Sequence, residues 1–143
     1  MEGKEKTNPL PYPEWLCGFT DGDGSFHGIL RKQKEYRCNY QVQAVFDLAQ
    51  KEPIEKDFSL INKLFFNGKA SFSTVDSIGY LRVVSFKEHE KRIIPFFKKY
   101  RLQSRKSLDF LVYLKMCNLI KKGNHLTTDG IRKWRMYTRI QRQ

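Results

Sequence analysis

Nothing in the 143 residues approaches the run of about 18 apolar residues that a membrane-spanning helix needs. The opening stretch, MEGKEKTNPLPYPEW, lacks the apolar core of a secretory leader. Cysteine is scarce: Cys17, Cys38 and Cys117 are odd in number, far apart, and form no CxxC pair. That pattern argues against a disulfide framework or a zinc site and for a reducing compartment, with each cysteine serving as a small buried hydrophobe. No segment is rich in Gly, Pro or Ser in the manner of a linker. Residues 13–143 therefore read as one domain, preceded by a polar, proline-bearing arm at 1–12. Acid is the other shortage: 15 acidic residues face 27 basic ones, a formal charge of +12. Self-repulsion of that size opposes compaction and implies a polyanionic partner, nucleic acid first and an anionic membrane surface second. With 40% apolar and 14% aromatic residues, the chain still has a globular composition.

Local signals order the chain as α-ββ-α-ββ-α-α-α. Pro13 and Glu14 suit the first turn of a helix that should run to about Asp21, where glycines stop it. SFHGILRK alternates, with Phe26 and Leu30 on one face and Ser25, His27, Ile29 and Arg31 on the other. After QKEYR, a polar turn, NYQVQAVFDLAQ alternates again. Tyr40, Val42, Ala44, Phe46 and Leu48 oppose Asn39, Gln41, Gln43, Val45 and Asp47. Pro53 opens a helix with Ile54, Phe58, Ile61 and Phe65 at helical spacing, ended by Asn67-Gly68. KASFSTV and GYLRVVSF make a second hairpin. Ala70, Phe72, Leu81 and Val83 face the core there, and Lys69, Ser71, Ser73, Tyr80 and Arg82 face away. Ser85 and Glu88 have capping-box spacing for a helix to about Tyr100, interrupted at Pro95. Ser104 caps a helix carrying Leu108, Leu111, Met116 and Leu119; KKGNH breaks it, and Thr127 or Thr128 starts a last helix with Ile131 and Trp134. Phe65, Phe66, Phe96, Phe97 and Trp134 read as core.

One stretch conflicts with ordinary helix chemistry. In WLCGFTDGDGSF, Asp21 and Asp23 stand where a helix ends, and a helix C-terminus already carries partial negative charge. An Asx turn, with Gly22 and Gly24 at positive φ, accounts for them structurally and suits Asp21 better than Asp23. The other account is a cation. Asp23 and nearby carbonyls make a set of hard oxygen ligands suited to Mg2+ or Ca2+, and Mg2+ completes its shell with water and phosphate.

The outward strand faces suit DNA. A two-stranded ribbon fits the major groove, where Asn, Gln and Arg pair with purine edges. Arg31, Asn39, Gln41, Gln43 and Arg82 supply those groups, with Ser25, Lys69, Ser71, Ser73 and Tyr80 on the same face. Asp47 can accept from cytosine N4, Ile29 or Val45 can meet a thymine methyl, and His27 can donate to a base. Lys32, Lys34 and Arg37 in the turn, and Arg132, Lys133, Arg135 and Arg139 near the C-terminus, suit phosphates.

Residues 16–24, LCGFTDGDG, resemble the signature nonapeptide of the LAGLIDADG homing endonucleases. The leucine, the first glycine, both aspartates and the last glycine are kept; Cys17, Phe19, Thr20 and Gly22 differ from the eponymous letters. The likeness extends to the element order, to PFFKKYRLQSRKSLDF and to HLTTDGIRK. It implies an α+β, αββαββα fold with a saddle-shaped antiparallel sheet over DNA and extra C-terminal helices. It implies site-specific, divalent-metal-dependent double-strand cleavage by an intron-encoded enzyme. A non-cleaving nucleic-acid binder of the same fold, a splicing maturase or a regulator, is the alternative. By similarity, Asp23 is the metal ligand with the Gly22 carbonyl, Asp21 is structural, and Gln50 orders solvent near the metal. A basic residue of KKYRLQSRKS assists; Lys106 is the choice among Lys98, Lys99, Arg105 and Lys106, although Gln103 can occupy that place itself. Mg2+ is the expected metal, with Mn2+ or Ca2+ able to substitute for binding. A single nonapeptide implies half a site, and therefore a C2 homodimer on a long, pseudo-palindromic double-stranded target. Trp15, Cys17, Gly18, Thr20 and Asp21 on the motif helix would meet the second copy. The expected location is an organelle or a prokaryotic cytoplasm, neither secreted nor membrane-bound.

Overall fold

The computed structural model describes residues 12–51 and 55–142. The expected N-terminal arm, apart from Tyr12, and the helix start at Pro53 and Ile54 lie outside the described residues. Helix α1 (Pro13–Asp23) runs without a loop into β1 (Gly24–Lys32). A turn with a short 3-10 segment (Arg37–Asn39) leads to β2 (Tyr40–Lys51), followed by α2 (Glu55–Phe65), β3 (Ser71–Val75) and β4 (Ile78–Val83). One interrupted helix comes next: α3 (Phe86–Glu88), a π-helical turn (His89–Ile93) and α4 (Ile94–Lys99). Helices α5 (Lys106–Lys121) and α6 (Thr128–Gln141) close the order. The four strands form one antiparallel sheet in the order β1-β2-β4-β3, giving the expected α+β architecture.

The register puts the alternating residues where their period implies. Phe26 pairs with Phe46 on the helical side of the sheet, their ring centroids 5.1 Å apart. Phe97, Phe110 and Tyr113 surround Phe26 at 5.1–5.3 Å. Gly28 lies on that side too, and a Cβ there would stand 2.4 Å from both Met116 Cε and Trp134 Cζ2. The missing side chain is what lets α5 and α6 pack directly on β1. On the opposite face Ser25, Asp47, Arg82 and Ser71 form one cross-strand row, and Ile29 and Arg31 lie opposite Gln43 and Gln41.

Several local expectations need correction. Helix α1 continues to Asp23, and Gly24 is extended at φ −92°. Neither Gly22 nor Gly24 adopts positive φ. Asn39 belongs to the turn, at φ +63°, and not to β2. Phe72 is 39% exposed because β3 is the sheet edge; its ring only reaches Phe58, 6.0 Å away. On α5 the core face is Phe110, Tyr113, Met116, Cys117 and Leu119, while Leu108 and Leu111 are over half exposed. Ser85 makes no side-chain cap, and Glu88 instead binds Arg92 at 2.7 Å. Ser104 is not the N-cap of α5; Arg105 holds that position, and the Ser104 hydroxyl turns to Asp21. The interruption at Pro95 takes the form of the π-helical turn, whose end has the Ile94 amide donating to the His89 carbonyl. His89 is fully buried against the Tyr113 hydroxyl at 2.5 Å, and burial pushes its pKa down to about 4.

The contact at Gly28 sets a direct test. Gly28→Ala should destabilise the protein by about 1–3 kcal/mol through overpacking against Trp134 and Met116, read as a lower midpoint in chemical denaturation.

Candidate active site

The site grows from the junction of α1 and β1. Thr20 is fully buried and returns its hydroxyl to the Leu16 carbonyl at 2.8 Å. The Gly24 amide donates to the Thr20 carbonyl. A Cβ on Gly24 would lie 2.6 Å from Thr20 Cγ2 and 2.9 Å from the Thr20 oxygen, so only glycine lets the strand leave the helix this closely. Gly24 pairs with Leu48, which brings Gln50, two residues further along β2, level with the helix end. There the Gln50 Nε2 donates to Asp23 Oδ2 at 2.6 Å. Because the amide nitrogen faces the carboxylate, the Gln50 oxygen is directed elsewhere. Asp23 and Gly22 are exposed, and the Gly22 carbonyl has no following helical turn to bond. The arrangement offers a carboxylate, a backbone carbonyl and an amide oxygen, all hard ligands, at one edge of the sheet.

Asp21 has a different environment. Its carboxylate accepts from the Gln103 amide at 2.9 and 3.0 Å, the Ser104 amide at 2.8 Å and the Ser104 hydroxyl at 2.7 Å. Partial burial works to raise its pKa, but the Ser104 and Gln103 donors, together with the charge of Lys106, outweigh burial and hold it below the usual carboxylate range. Lys106 therefore sits near Asp21 at the start of α5, and among the described residues no contact joins it to Asp23. The Gln103 side chain folds back onto the Arg101 carbonyl at 3.2 Å.

The motif helix presents a narrower outward stripe than the sequence suggested. Cys17 is buried, its thiol against the Tyr100 and Arg101 carbonyls at 3.5 and 3.2 Å. Cys17 and Thr20 are buried in their own chain, and the Asp21 carboxylate, half-exposed, is engaged by Gln103 and Ser104. The outward positions are Trp15, 38% exposed, and Gly18 and Gly22, where an added Cβ would meet nothing within 4 Å. Helical spacing separates the two sets: 17, 20 and 21 fall on the inner side and 15, 18 and 22 on the outer.

On the open sheet face, Arg31 Nη1 donates to Gln43 Oε1 at 3.3 Å, and the Ser25 hydroxyl meets His27 Nδ1 at 2.9 Å. Burial, ahead of the opposing charges of Asp47 and Arg82, lowers the His27 pKa. Ser73 lies opposite Tyr80 on the same face. Asp47 is corrected: it is 4% exposed and paired with Arg82 at 2.9 Å, so it is not open to a cytosine. Val45, expected to meet a thymine methyl, is completely buried. Lys32 pairs with Tyr40 in the row on the helical side. Lys34, Arg37 and Asn39 are exposed in the turn, and Lys69 is exposed ahead of β3. Over on α6, Arg135 lies 4.9 Å from the Tyr40 ring, and Arg132 and Lys133 pair with Asp129. Sequence reasoning missed the Gln103 and Ser104 amides, which carry no compositional signal and lie over 80 residues from Asp21.

With fold and site in place, comparison assigns the class: this chain belongs to the LAGLIDADG endonuclease family, whose profile matches residues 16–117. A probable intron-encoded endonuclease of Neurospora crassa is 30% identical over 122 residues, covering 85% of this chain and 27% of that protein. An uncharacterized cox1 intron-2 protein of Schizosaccharomyces pombe is 34% identical over 120 residues, covering 82% of this chain and 34% of that protein. The chain thus spans 27% and 34% of the length of these curated relatives. Among solved structures, the meganuclease I-SmaMI bound to uncleavable DNA has a TM-score of 0.83 at 29% identity, covering 90% of this chain and 44% of that one. The homing endonuclease I-TnaI has a TM-score of 0.82 at 25% identity, covering 90% of this chain and 86% of that one.

Asp21 gives a stability test. Asp21→Ala should cost about 2 kcal/mol, after discounting for solvent exposure, because three donors lose a charged acceptor. The folded-state pKa is depressed, so the carboxylate's ionic contribution is complete above its unfolded pKa near 4 and falls away as pH drops through the folded value. Denaturation of the wild type and the variant at a series of pH values should therefore show the gap narrowing only in strong acid.

Proposed function

We propose that the chain is half of a site-specific, divalent-metal-dependent double-strand DNA endonuclease, encoded by an intron and active as a homodimer. The observation that carries the reading is the bond from Gln50 to Asp23. It holds an exposed carboxylate at the negative end of a helix, where an uncompensated charge is unfavourable, beside a polar sheet face of a chain with charge +12. The family membership supports the same reading, as does the I-SmaMI structure with an uncleaved DNA target in the presence of calcium ions.

The donor set fits a hard cation and is incomplete in one chain. Among the described residues no group of three or more His, Cys, Asp or Glu could hold a metal. Asp23, the Gly22 carbonyl and Gln50 suit Mg2+, which keeps much of its water shell; Mn2+ or Ca2+ would take the same oxygens for binding. When bound, the ion would supply Lewis-acid activation of water and neutralise charge on the leaving oxygen. Asp23 would hold it. Gln50 fixes the carboxylate's orientation and offers its amide oxygen to solvent. Lys106, near the Asp21-anchored loop, is the basic residue we assign to proton handling. Ser25, His27, Ile29, Arg31, Gln41, Gln43, Ser71, Ser73, Tyr80 and Arg82 would face base edges, and Lys34, Arg37, Asn39 and Lys69 the phosphates; Lys32, on the helical side of the sheet, is left out of that set.

The second half comes from a second copy, packed through the outward stripe of Trp15, Gly18 and Gly22. A two-fold dimer reads a long, pseudo-palindromic target. Relatives from cox1 and ND4 introns support an organellar location, and no helix among the described residues is long and apolar enough to cross a membrane.

Incubation with a selected target should give Mg2+-dependent double-strand cutting that EDTA abolishes. Asp23→Asn should lose at least a thousandfold in rate, about 4 kcal/mol of barrier, while still shifting the target in a gel. Undiminished cutting by that variant would remove the mechanism, and specific binding by a wild type that never cuts would favour the non-cleaving alternative. In solution the mass should be twice the 17.0 kDa of one chain, and Gly18→Leu should return it to a monomer without activity.

A further inference from the structure

The geometry points to Asp47 as a positioning residue that aims Arg82 at a guanine in the target. The inference rests on the DNA-reading function proposed above and goes beyond it by naming a base and the device that reads it.

Asp47 and Arg82 are direct cross-strand neighbours on the open sheet face, Asp47 on the central strand β2 and Arg82 on β4. Asp47 is 4% exposed, whereas the Arg82 side chain retains 38% of its surface. The contact has a particular form. Arg82 Nε and Nη2 both donate to Asp47 Oδ2, at 3.2 and 2.9 Å. A guanidinium has five N–H groups in a rigid planar fork. The side edge, made by Nε and Nη2, is thereby committed to the carboxylate. Three N–H groups remain, and two of them form the parallel pair at the end of the fork, on Nη1 and Nη2.

That end pair matches the two major-groove acceptors of guanine, O6 and N7, which are read bidentately by arginine. No other base presents two acceptors with this spacing: adenine shows a donor beside N7, and thymine one acceptor beside a methyl. The row continues with Ser25 beside Asp47 and Ser71 beside Arg82, both small. Arginine otherwise carries much rotamer freedom, which a specific contact has to remove. A buried carboxylate that already fixes the guanidinium plane removes it in advance. Asp47 therefore acts on the base only through Arg82.

The test is selection of binding sites from randomised duplex DNA in EDTA, followed by sequencing. Wild type should prefer guanine about tenfold at one position of each half-site. Arg82→Ala and Arg82→Lys should both lose that preference and keep those at other positions, since an ammonium has no fork. Asp47→Asn and Asp47→Ala should each weaken it severalfold at the same position alone, with affinity for unrelated duplex unchanged or raised because a negative charge has gone. The asparagine variant keeps the side-chain volume and serves where alanine does not fold. A purely structural Asp47 would reduce binding to all sequences equally with the guanine preference intact, and that result overturns the inference. So does a wild type with base preferences of which none responds to Arg82. A wild type that selects no sequence overturns this inference and the DNA-reading function together.

Discussion

The site depends on a helix that becomes a strand with no residue between them. Gly24 passes so close to Thr20 that any side chain would collide with it, and Thr20 is itself locked by its hydroxyl to Leu16. This contact fixes where β1 begins. The start of β1 fixes its pairing with β2, and that pairing puts Gln50 beside Asp23. A slip of one residue would turn every strand side chain to the wrong face, burying the polar row and exposing Phe26 and Phe46. The core of aromatic rings around Phe26 opposes that slip, so the packing on one side of the sheet holds the Gln50–Asp23 contact at its edge.

Two carboxylates two residues apart have opposite electrostatic histories. Both stand at the negative end of α1, where a like charge costs about 0.3–1 kcal/mol. Asp21 is compensated by four short hydrogen bonds from the segment ahead of α5, and so it ties that segment to the motif helix. Among the described residues Asp23 accepts from the Gln50 amide alone, and it is exposed. The first charge is satisfied by the protein; the second is oriented by the protein and left for something else to satisfy. Orientation without neutralisation is the condition a metal ligand needs.

The strands were legible because a period of two is hard to mistake: Tyr40 to Leu48 on one side and Gln41 to Asp47 on the other alternate except at Val45, and the register follows them. The exposures along the same rows were not legible. Val45 and Asp47 occupy outward positions by period and are nonetheless buried, Asp47 by an arginine 35 residues away that no local pattern announces. On α5, Leu108, Phe110, Leu111, Tyr113 and Leu114 surround most of the helix, so spacing alone cannot choose the buried side; the rings of Phe110 and Tyr113 win because they fill the space around Phe26. Cys17 and Thr20 were misjudged at the motif helix because small residues suit a close helix contact and an internal hydrogen bond equally well. Only the direction of the side chain decides, and both point inward. The aspartates were legible as an anomaly of charge, while the partners that separate their roles come from distant loops.

Reading and cutting, as proposed, would share one rigid element. Asp47 and Gln50 are three residues apart on β2, about 10 Å along the strand. Their side chains leave opposite faces of the sheet, Asp47 on the open face and Gln50 at the edge on the helical side. A base at Arg82 and a phosphate at Asp23 would then be held in a fixed relation by the backbone hydrogen bonds of β2, with no flexible loop between them. Such coupling makes recognition part of the chemistry. A target with the wrong base at the arginine would still meet the basic surface, but its backbone would sit at a shifted angle over the carboxylate. Positional errors near 1 Å can cost about a hundredfold in rate. Under the two proposals together, discrimination would exceed what one lost pair of hydrogen bonds supplies, because the central strand would convert a misread base into a misplaced phosphate.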